Sequence, residues 1–155
     1  MKRSALILGL VVLFVLTLVG LSWPGPGTAT AVKKKVGWNR GNLYVIDWTS
    51  GTDAAVNTEI SALVGDSSVS GYLRYVETVP GASGDRTTAL PDASYDIVLN
   101  DAYSYDVTGG SLANRSGTAA ERIIPTSPTF LDGPLTLVIS HASNEKKGRM
   151  ILLLE

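Results

Sequence analysis

Three aspartates and three tyrosines lie within one stretch of thirteen residues, YDIVLNDAYSYDV, which runs from Tyr95 to Val107. Asp101 and Asp106 flank four residues there, and they are the weak candidates for calcium ligands. Calcium takes roughly six to eight oxygen ligands, and the spacing does not match an EF-hand loop. Asn100-Asp101 is also typical of a β-turn closed by side-chain to backbone hydrogen bonds. The preferred interpretation is a strand, a tight turn and the start of the next strand, with no metal site.

Other catalytic constellations find little support in the sequence. A glycosidase acid pair needs a substrate cleft, which a domain this short rarely builds. His141 is the single histidine and there is no cysteine, so a zinc site lacks ligands. Gly65-Asp66-Ser67-Ser68 resembles the start of one lipase class, but the chain has neither that class's Asp-x-x-His nor a G-x-S-x-G motif. We therefore predict a protein that is not an enzyme and needs no cofactor.

The N-terminus has the pattern of a membrane-directed segment. Met1-Lys2-Arg3 precedes an apolar run from Ala5 to Leu21, and Ala29-Thr30-Ala31 is a small-x-small site, as in a secretory signal peptide. The run extended to Trp23 is also long enough to span a bilayer, and Lys33–Lys35 opposes translocation. A cleaved signal and an uncleaved anchor through residues 5–23 both remain open.

These features divide the chain into a leader with a Pro/Gly-rich linker, residues 1–31, and a single domain, residues 32–155. The expected location is extracytoplasmic or membrane-anchored in a bacterium, or a virion if the chain is of phage origin. The domain without its leader is mildly acidic, which argues against a nucleic-acid partner. The absence of cysteine excludes a disulfide framework and fits a bacterial or phage protein.

From Val32 onward, hydrophobic alternation and turn residues predict short strands. A helix over Ala54–Val64, between Asp53 and Gly65, and an irregular loop are alternatives for the one segment that breaks the pattern. The fold class is therefore all-β, a small antiparallel β-sandwich of jelly-roll or Ig-like type behind an N-terminal hydrophobic helix. The predicted strands are Leu43–Trp48, Gly71–Val79, Tyr95–Asn100, Glu121–Ile124, Leu135–His141 and Gly148–Leu154.

The last strand is apolar at every position from Met150 to Leu154. A strand with one solvent-exposed face would leave apolar side chains in water, and an exposed apolar strand tends to associate with another chain. The strand is therefore either central in its sheet or covered by a neighbouring subunit. Ile151 and Leu153 are interface candidates on this basis. Tyr103 and Tyr105 are further candidates, because exposed aromatic side chains suit sugar stacking or protein docking.

Three stretches together resemble a group of small tailed-phage or prophage proteins encoded among virion genes: GYLRYVETVPGASG, then PDASYDIVLNDAYSYDVTGGSLANRSGTAAERIIP, then GPLTLVISHASNEKKGRMILLLE. The likeness covers about Trp38 to Leu154. It implies a structural, non-enzymatic protein that acts by association, with itself as a homo-oligomer or with other structural proteins.

A weaker likeness is to the pre-peptidase C-terminal domain, a β-sandwich module of secreted bacterial enzymes. The chain shares with it a D-x-x-L-x-D strand, a Glu-Arg-Ile strand and a late Gly-x-L-x-x-x-I strand. Where that family has Tyr-Tyr-x-x-V, this chain has Leu135 to Ile139. This likeness implies the alternative function, an exported or anchored binding module for carbohydrate or protein.

Overall fold

Antiparallel β-strands dominate the computed structural model, which describes residues 25–37, 41–127 and 129–155. The all-β prediction is confirmed. The helical pieces in these ranges are one turn, α1 (Ile60–Leu63), and a 3₁₀ turn at Ala82–Gly84. The strands are β1 (Thr28–Val36), β2 (Gly41–Thr49), β3 (Val56–Glu59), β4 (Val69–Pro80), β5 (Asp96–Asn100), β6 (Glu121–Ile123), β7 (Thr129–Gly133), β8 (Thr136–Ser140) and β9 (Lys147–Leu154).

The strands form two sheets. In the large sheet the order is β1-β2-β9-β4-β6, and β7 pairs with β4 beyond the end of β6. The small sheet has the order β3-β8-β5. All of these pairings are antiparallel, and a register shift between Leu73 and Tyr75 marks a bulge in β4. The C-terminal strand β9 is central, with β2 on one side and β4 on the other.

Both sheets contribute one face to a shared hydrophobic core. Alternation dictates which face, because successive side chains of a strand point to opposite sides. Tyr95, Ile97 and Leu99 are buried together, as their spacing predicts, and so are the inward residues of β8. Full burial of each such aliphatic side chain stabilises the fold by about 1.5–3 kcal/mol. The large sheet supplies Tyr44, Ile46, Trp48, Leu73, Val76, Met150, Leu152 and Leu154 to the same core.

The segment between Asp53 and Gly65 is neither the predicted helix nor the irregular loop. Its first half is β3, which pairs with β8, and only Ile60–Leu63 is helical. Asp53 does not cap that helix; its Oδ1 accepts a hydrogen bond from the Ala55 N–H at 3.1 Å and closes a turn before β3. Gly65, with φ of +74°, does follow the helix in the left-handed conformation that ends helices.

Strands β1 and β7 were not predicted. Residues 28–31, assigned from the sequence to the leader and linker, form the first part of β1 and pair with β2. The preceding residues also contact the domain, since Gly25 O accepts a hydrogen bond from Thr52 N at 3.2 Å. A Cβ on Gly27 would lie 2.1 Å from Ala55 O, so this backbone is closely packed.

The predicted N-terminal hydrophobic helix and the membrane span at residues 5–23 lie outside the described residues. Within the ranges that are described, no helix has the length and apolar character needed to cross a bilayer.

Candidate functional site

Strand β9 has one fully buried face and one outward face. Met150, Leu152 and Leu154 point into the core and are inaccessible to solvent. Ile151 and Leu153 point outward and are only half-buried. Of the two alternatives predicted for this strand, the central position in its sheet is confirmed. The outward pair nevertheless remains available for a partner, because no element of the described chain buries it completely.

Ile151 and Leu153 belong to a larger apolar surface, since residues paired across antiparallel strands share a face. Ile151 pairs with Val45, which pairs with Val32 on β1. Leu153 lies between Leu43 on β2 and Tyr75 on β4. We call this surface the apolar stripe; it consists of Val32, Leu43, Val45, Tyr75, Ile151 and Leu153. Val32, on the edge strand, is 55% exposed.

Charged side chains border the apolar stripe as ion pairs. Arg149 donates two hydrogen bonds to the Asp47 carboxylate, both at 2.8 Å, from the neighbouring strand. Arg122 pairs with Glu77, and its guanidinium carbon lies 4.5 Å from the centroid of the Tyr75 ring. The hydrogen bonds that both arginines donate to these carboxylates raise the pKa of each guanidinium group. The two ion pairs neutralise these four charges within each copy of the protein, while exposed Lys34, which pairs with Leu43 across β1 and β2, adds a positive charge to the same face.

An exposed aromatic pair adjoins this face at the other end of β4. Tyr72 and Phe130 are paired across β4 and β7, and their ring centroids are 5.0 Å apart in an edge-to-face arrangement. Their exposed fractions are 47% and 55%. Phe130 was not singled out from the sequence, because β7 was not predicted and an isolated phenylalanine carries no periodic signal.

The other two interface candidates, Tyr103 and Tyr105, lie on the turn that follows β5 of the small sheet. Both are exposed, Tyr103 to 91%. They are thus on a different surface from Ile151 and Leu153. The predicted turn is confirmed: Asp101 Oδ1 accepts hydrogen bonds from the backbone N–H groups of Tyr103 at 2.8 Å and Tyr105 at 2.9 Å.

The start of a further strand after this turn was predicted wrongly. Asp106 forms a single bridge with Asn100, and Val107 donates one backbone hydrogen bond to Leu99 O at 2.8 Å. Asp106 then closes a second turn, since its carboxylate accepts hydrogen bonds from Thr108 N at 2.9 Å and Gly110 N at 2.6 Å. Because the Asp106 side chain takes these backbone donors, the pairing does not extend into a strand beyond Val107.

The Asp101 and Asp106 carboxylates therefore both accept hydrogen bonds from backbone N–H groups nearby in the chain. Across residues 25–37, 41–127 and 129–155, no group of three or more His, Cys, Asp or Glu side chains is placed to hold a metal ion. Each carboxylate closes its own turn.

A cleft of about 530 Å³ lies beside Tyr105, where the two sheets separate at the β6 edge. One wall is the loop from Tyr105 to Ser111, and the other consists of residues 125–127 and Thr129. Val76 and Ile123 of the large sheet line the cleft from below. The cleft could not be predicted from the sequence, because its two walls come from segments that are separated along the chain.

His141 lies at the end of β8, as predicted, and its side chain is largely exposed. Its Nδ1 is 2.9 Å from Asp96 Oδ2. Asp96 also accepts a hydrogen bond from Asn114 N at 2.8 Å. This hydrogen bond and, to a smaller extent, the one with His141 lower the pKa of the Asp96 carboxyl. No serine or threonine hydroxyl of the described residues forms a hydrogen bond with His141. The pair links the start of β5 to the residue that follows β8 and, among the described residues, is not extended to a serine or threonine nucleophile.

Comparisons with protein-family models, curated proteins and solved structures found no match. What the chain does is therefore inferred from the geometry of its surfaces.

Proposed function

We propose that this protein is a non-enzymatic structural component that self-associates through the apolar stripe of its large sheet. The assembly would be of phage or prophage type, in a virion or on a cell surface. The observation that carries the proposal is the outward, half-buried position of Ile151 and Leu153 in a row of apolar side chains that spans four neighbouring strands. Covering such a row removes apolar area from water, which is the main driving force of association.

The ion pairs around the apolar stripe favour a second copy of this chain as the occupant. Asp47–Arg149 and Glu77–Arg122 are neutral pairs within one copy. When two such faces meet, these four charges are already paired within each copy, which limits the like-charge repulsion that costs several kcal/mol where it occurs. A strongly charged partner would gain little from this face. Two-fold association through one shared patch is also the commonest form of homo-oligomer.

The two sheets and their common core are proposed to form an antiparallel β-sandwich of jelly-roll or Ig-like type. Such a fold presents the outer face of the large sheet as a flat, rigid platform. The apolar run at residues 5–23 would bring the chain to a membrane, either as an anchor or as an export signal. An export signal would place the platform outside the cytoplasm, and an uncleaved anchor would hold it at the membrane.

The test is a double variant, Ile151→Thr with Leu153→Lys, sized by light scattering beside a thermal melt. Both side chains point away from the core, so we expect a folded protein that no longer associates. Tyr103→Ser is the matched control, because it removes an exposed apolar side chain from a different surface and should leave the mass unchanged. An oligomer that persists in the double variant, or a wild-type protein that is monomeric at every concentration, would refute self-association through this face.

The alternative, an exported binding module of pre-peptidase C-terminal type, would use the cleft beside Tyr105. Its residues are separate from the apolar stripe, so the two functions are independent in experiment.

A further inference from the structure

We propose that the cleft beside Tyr105 binds a neutral saccharide. Its volume, about 530 Å³, lies within the range of roughly 300–1,000 Å³ that is usual for small-molecule sites. A macromolecular partner needs a far larger contact, about 800 Å² on each side of a standard interface. The dimensions of the cleft therefore favour a small ligand or a short segment of a polymer.

The lining of the cleft is rich in hydroxyl groups. Each hydroxyl can donate one hydrogen bond and accept others, which matches the hydroxyls of a sugar. Among the described residues that line the cleft there is no lysine, arginine or histidine, so a phosphate or carboxylate ligand would find no counter-charge from them. The hydroxyl residues are Thr108, Ser111, Thr126, Ser127 and Thr129.

Asp106 is the charged residue in the described part of the lining, and hydrogen bonds hold its side chain in place. Its carboxylate accepts hydrogen bonds from Thr108 N, Gly110 N and the Thr108 hydroxyl, the last at 2.7 Å. Carboxylate oxygens have room for about four hydrogen bonds in total, so one position remains for a ligand hydroxyl. A charge-assisted hydrogen bond of this kind is stronger than one between neutral groups.

Tyr105 supplies an aromatic surface at the rim, and its side chain is 68% exposed. An amphipathic ring in this position can stack on the C–H face of a sugar while its hydroxyl stays in water. The backbone of Tyr105 is held by Asp101: Asp101 N donates to Tyr105 O at 3.0 Å, and the Asp101 side chain accepts from Tyr105 N. This preorganisation lowers the ordering cost of binding.

The floor of the cleft is apolar, which suits an amphipathic ligand. Val76 and Val107 are buried beneath it, and Ile123 is half-buried beside them. A saccharide presents C–H groups and hydroxyls on different faces. Its C–H groups can therefore pack on the apolar floor while its hydroxyls form hydrogen bonds with the hydroxyl side chains of the walls. A purely apolar ligand would leave the wall hydroxyls without partners.

The experiment is a ¹⁵N NMR titration of the protein as purified from a bacterial host, with three neutral probes: cellotriose, maltotriose and the trimer of N-acetylglucosamine. We expect at least one probe, at millimolar concentration, to shift the amide signals of Thr108, Gly109 and Ser111. Tyr105→Ala should weaken that binding at least tenfold. Tyr103→Ala is the matched control, because Tyr103 lies in the same turn but does not line the cleft, and it should leave the affinity unchanged.

Two results would overturn the proposal: no shift of the cleft amides with any probe, or binding that Tyr105→Ala leaves intact. A thermal melt of both variants excludes misfolding as the cause of a lost signal. Binding that the Ile151 and Leu153 double variant also retains would show that the cleft functions independently of association.

Discussion

Gly148 of β9 lies directly against the indole ring of Trp48 on β2. The two residues are paired across the strands, and a Cβ at position 148 would lie 2.3 Å from Trp48 Cζ2. Only glycine leaves room for the ring, which is buried and packs on Tyr95 of the small sheet at a centroid distance of 5.6 Å. This contact connects the two sheets at one end of the core.

Gly148→Ala should therefore destabilise the protein. The added methyl group displaces a rigid aromatic ring, and overpacking of this kind costs typically ~1–3 kcal/mol. Urea unfolding would measure the loss. Gly25→Ala is the matched control, since a Cβ there meets no atom within 4 Å, and it should change the free energy of unfolding by less than about 0.5 kcal/mol. Equal stability of the Gly148→Ala variant and the wild type would contradict this packing.

The first residues of β1 make a second prediction possible. A chain that lacks residues 1–31 also lacks the part of β1 that pairs Thr28–Ala31 with β2, and the core contacts of Ala29 and Ala31. A chain that lacks only residues 1–24 keeps them. We expect the longer truncation to be less stable by at least ~1 kcal/mol, because each lost hydrogen bond contributes about 0.5–1.5 kcal/mol.

Thermal melts of the two truncated chains measure this difference. The intact mass of protein made in a bacterial host adds an independent check, because processing after Ala31 would yield a chain that begins at Val32. A mature protein of that mass with full stability would show that the first half of β1 is dispensable.

The turn at Asp101 gives a third prediction. Asp101→Ala removes the acceptor of two backbone hydrogen bonds and should lower the free energy of unfolding by about 1–2 kcal/mol. Asp101→Asn keeps a side-chain oxygen and should cost less. We expect millimolar calcium to leave the melting temperature of the wild type unchanged. A rise in melting temperature with calcium that Asp101→Asn or Asp106→Asn abolishes would instead indicate a calcium site at this loop, since a ligand that binds only the native state stabilises it.

The pH dependence of stability gives a fourth prediction. Burial raises the pKa of Tyr95 to about 12, from about 10 when the chain is unfolded. The folded state therefore favours the neutral phenol, so the stabilisation is complete below pH 10 and is lost as the pH rises from 10 to 12. The loss from this group should be roughly 3 kcal/mol. Tyr95→Phe has no phenol to ionise, and its stability should fall less over this interval in urea unfolding. Parallel curves for the two proteins would contradict the assignment.

Much of the strand pattern was predictable because it depends on local alternation. Tyr95, Ile97 and Leu99 were assigned to one face from their spacing, and all three are buried. The two strands that were missed carry no such signal. β1 contains Lys33–Lys35, which is typical of an edge strand that must avoid pairing with other chains. β7 is five residues long, and Leu131 is its one buried side chain.

The candidate surfaces were predictable only in part. Ile151 and Leu153 were predictable as interface candidates, because a strand that is apolar at every position cannot bury both of its faces in one core. That Val32 and Leu43 lie beside them was not predictable, because it depends on the order of strands in the sheet, which long-range pairing determines. The cleft depends on two loops that meet in space, and no local pattern encodes their proximity. Asp101 was correctly assigned to a turn because the competition of an Asp side chain for backbone N–H groups is a local effect.

The most direct test of association through the apolar stripe uses the absence of cysteine in the native chain. Val45→Cys places a single thiol in the middle of the stripe, beside Ile151. Stacked sheets lie about 10 Å apart, so a short bismaleimide reagent can bridge two copies whose stripes face each other. Thr118→Cys, on an exposed loop before β6, is the control. We predict a covalent dimer from Val45→Cys and a monomer from Thr118→Cys at the same protein concentration. Equal cross-linking of the two variants, or none in either, would contradict it.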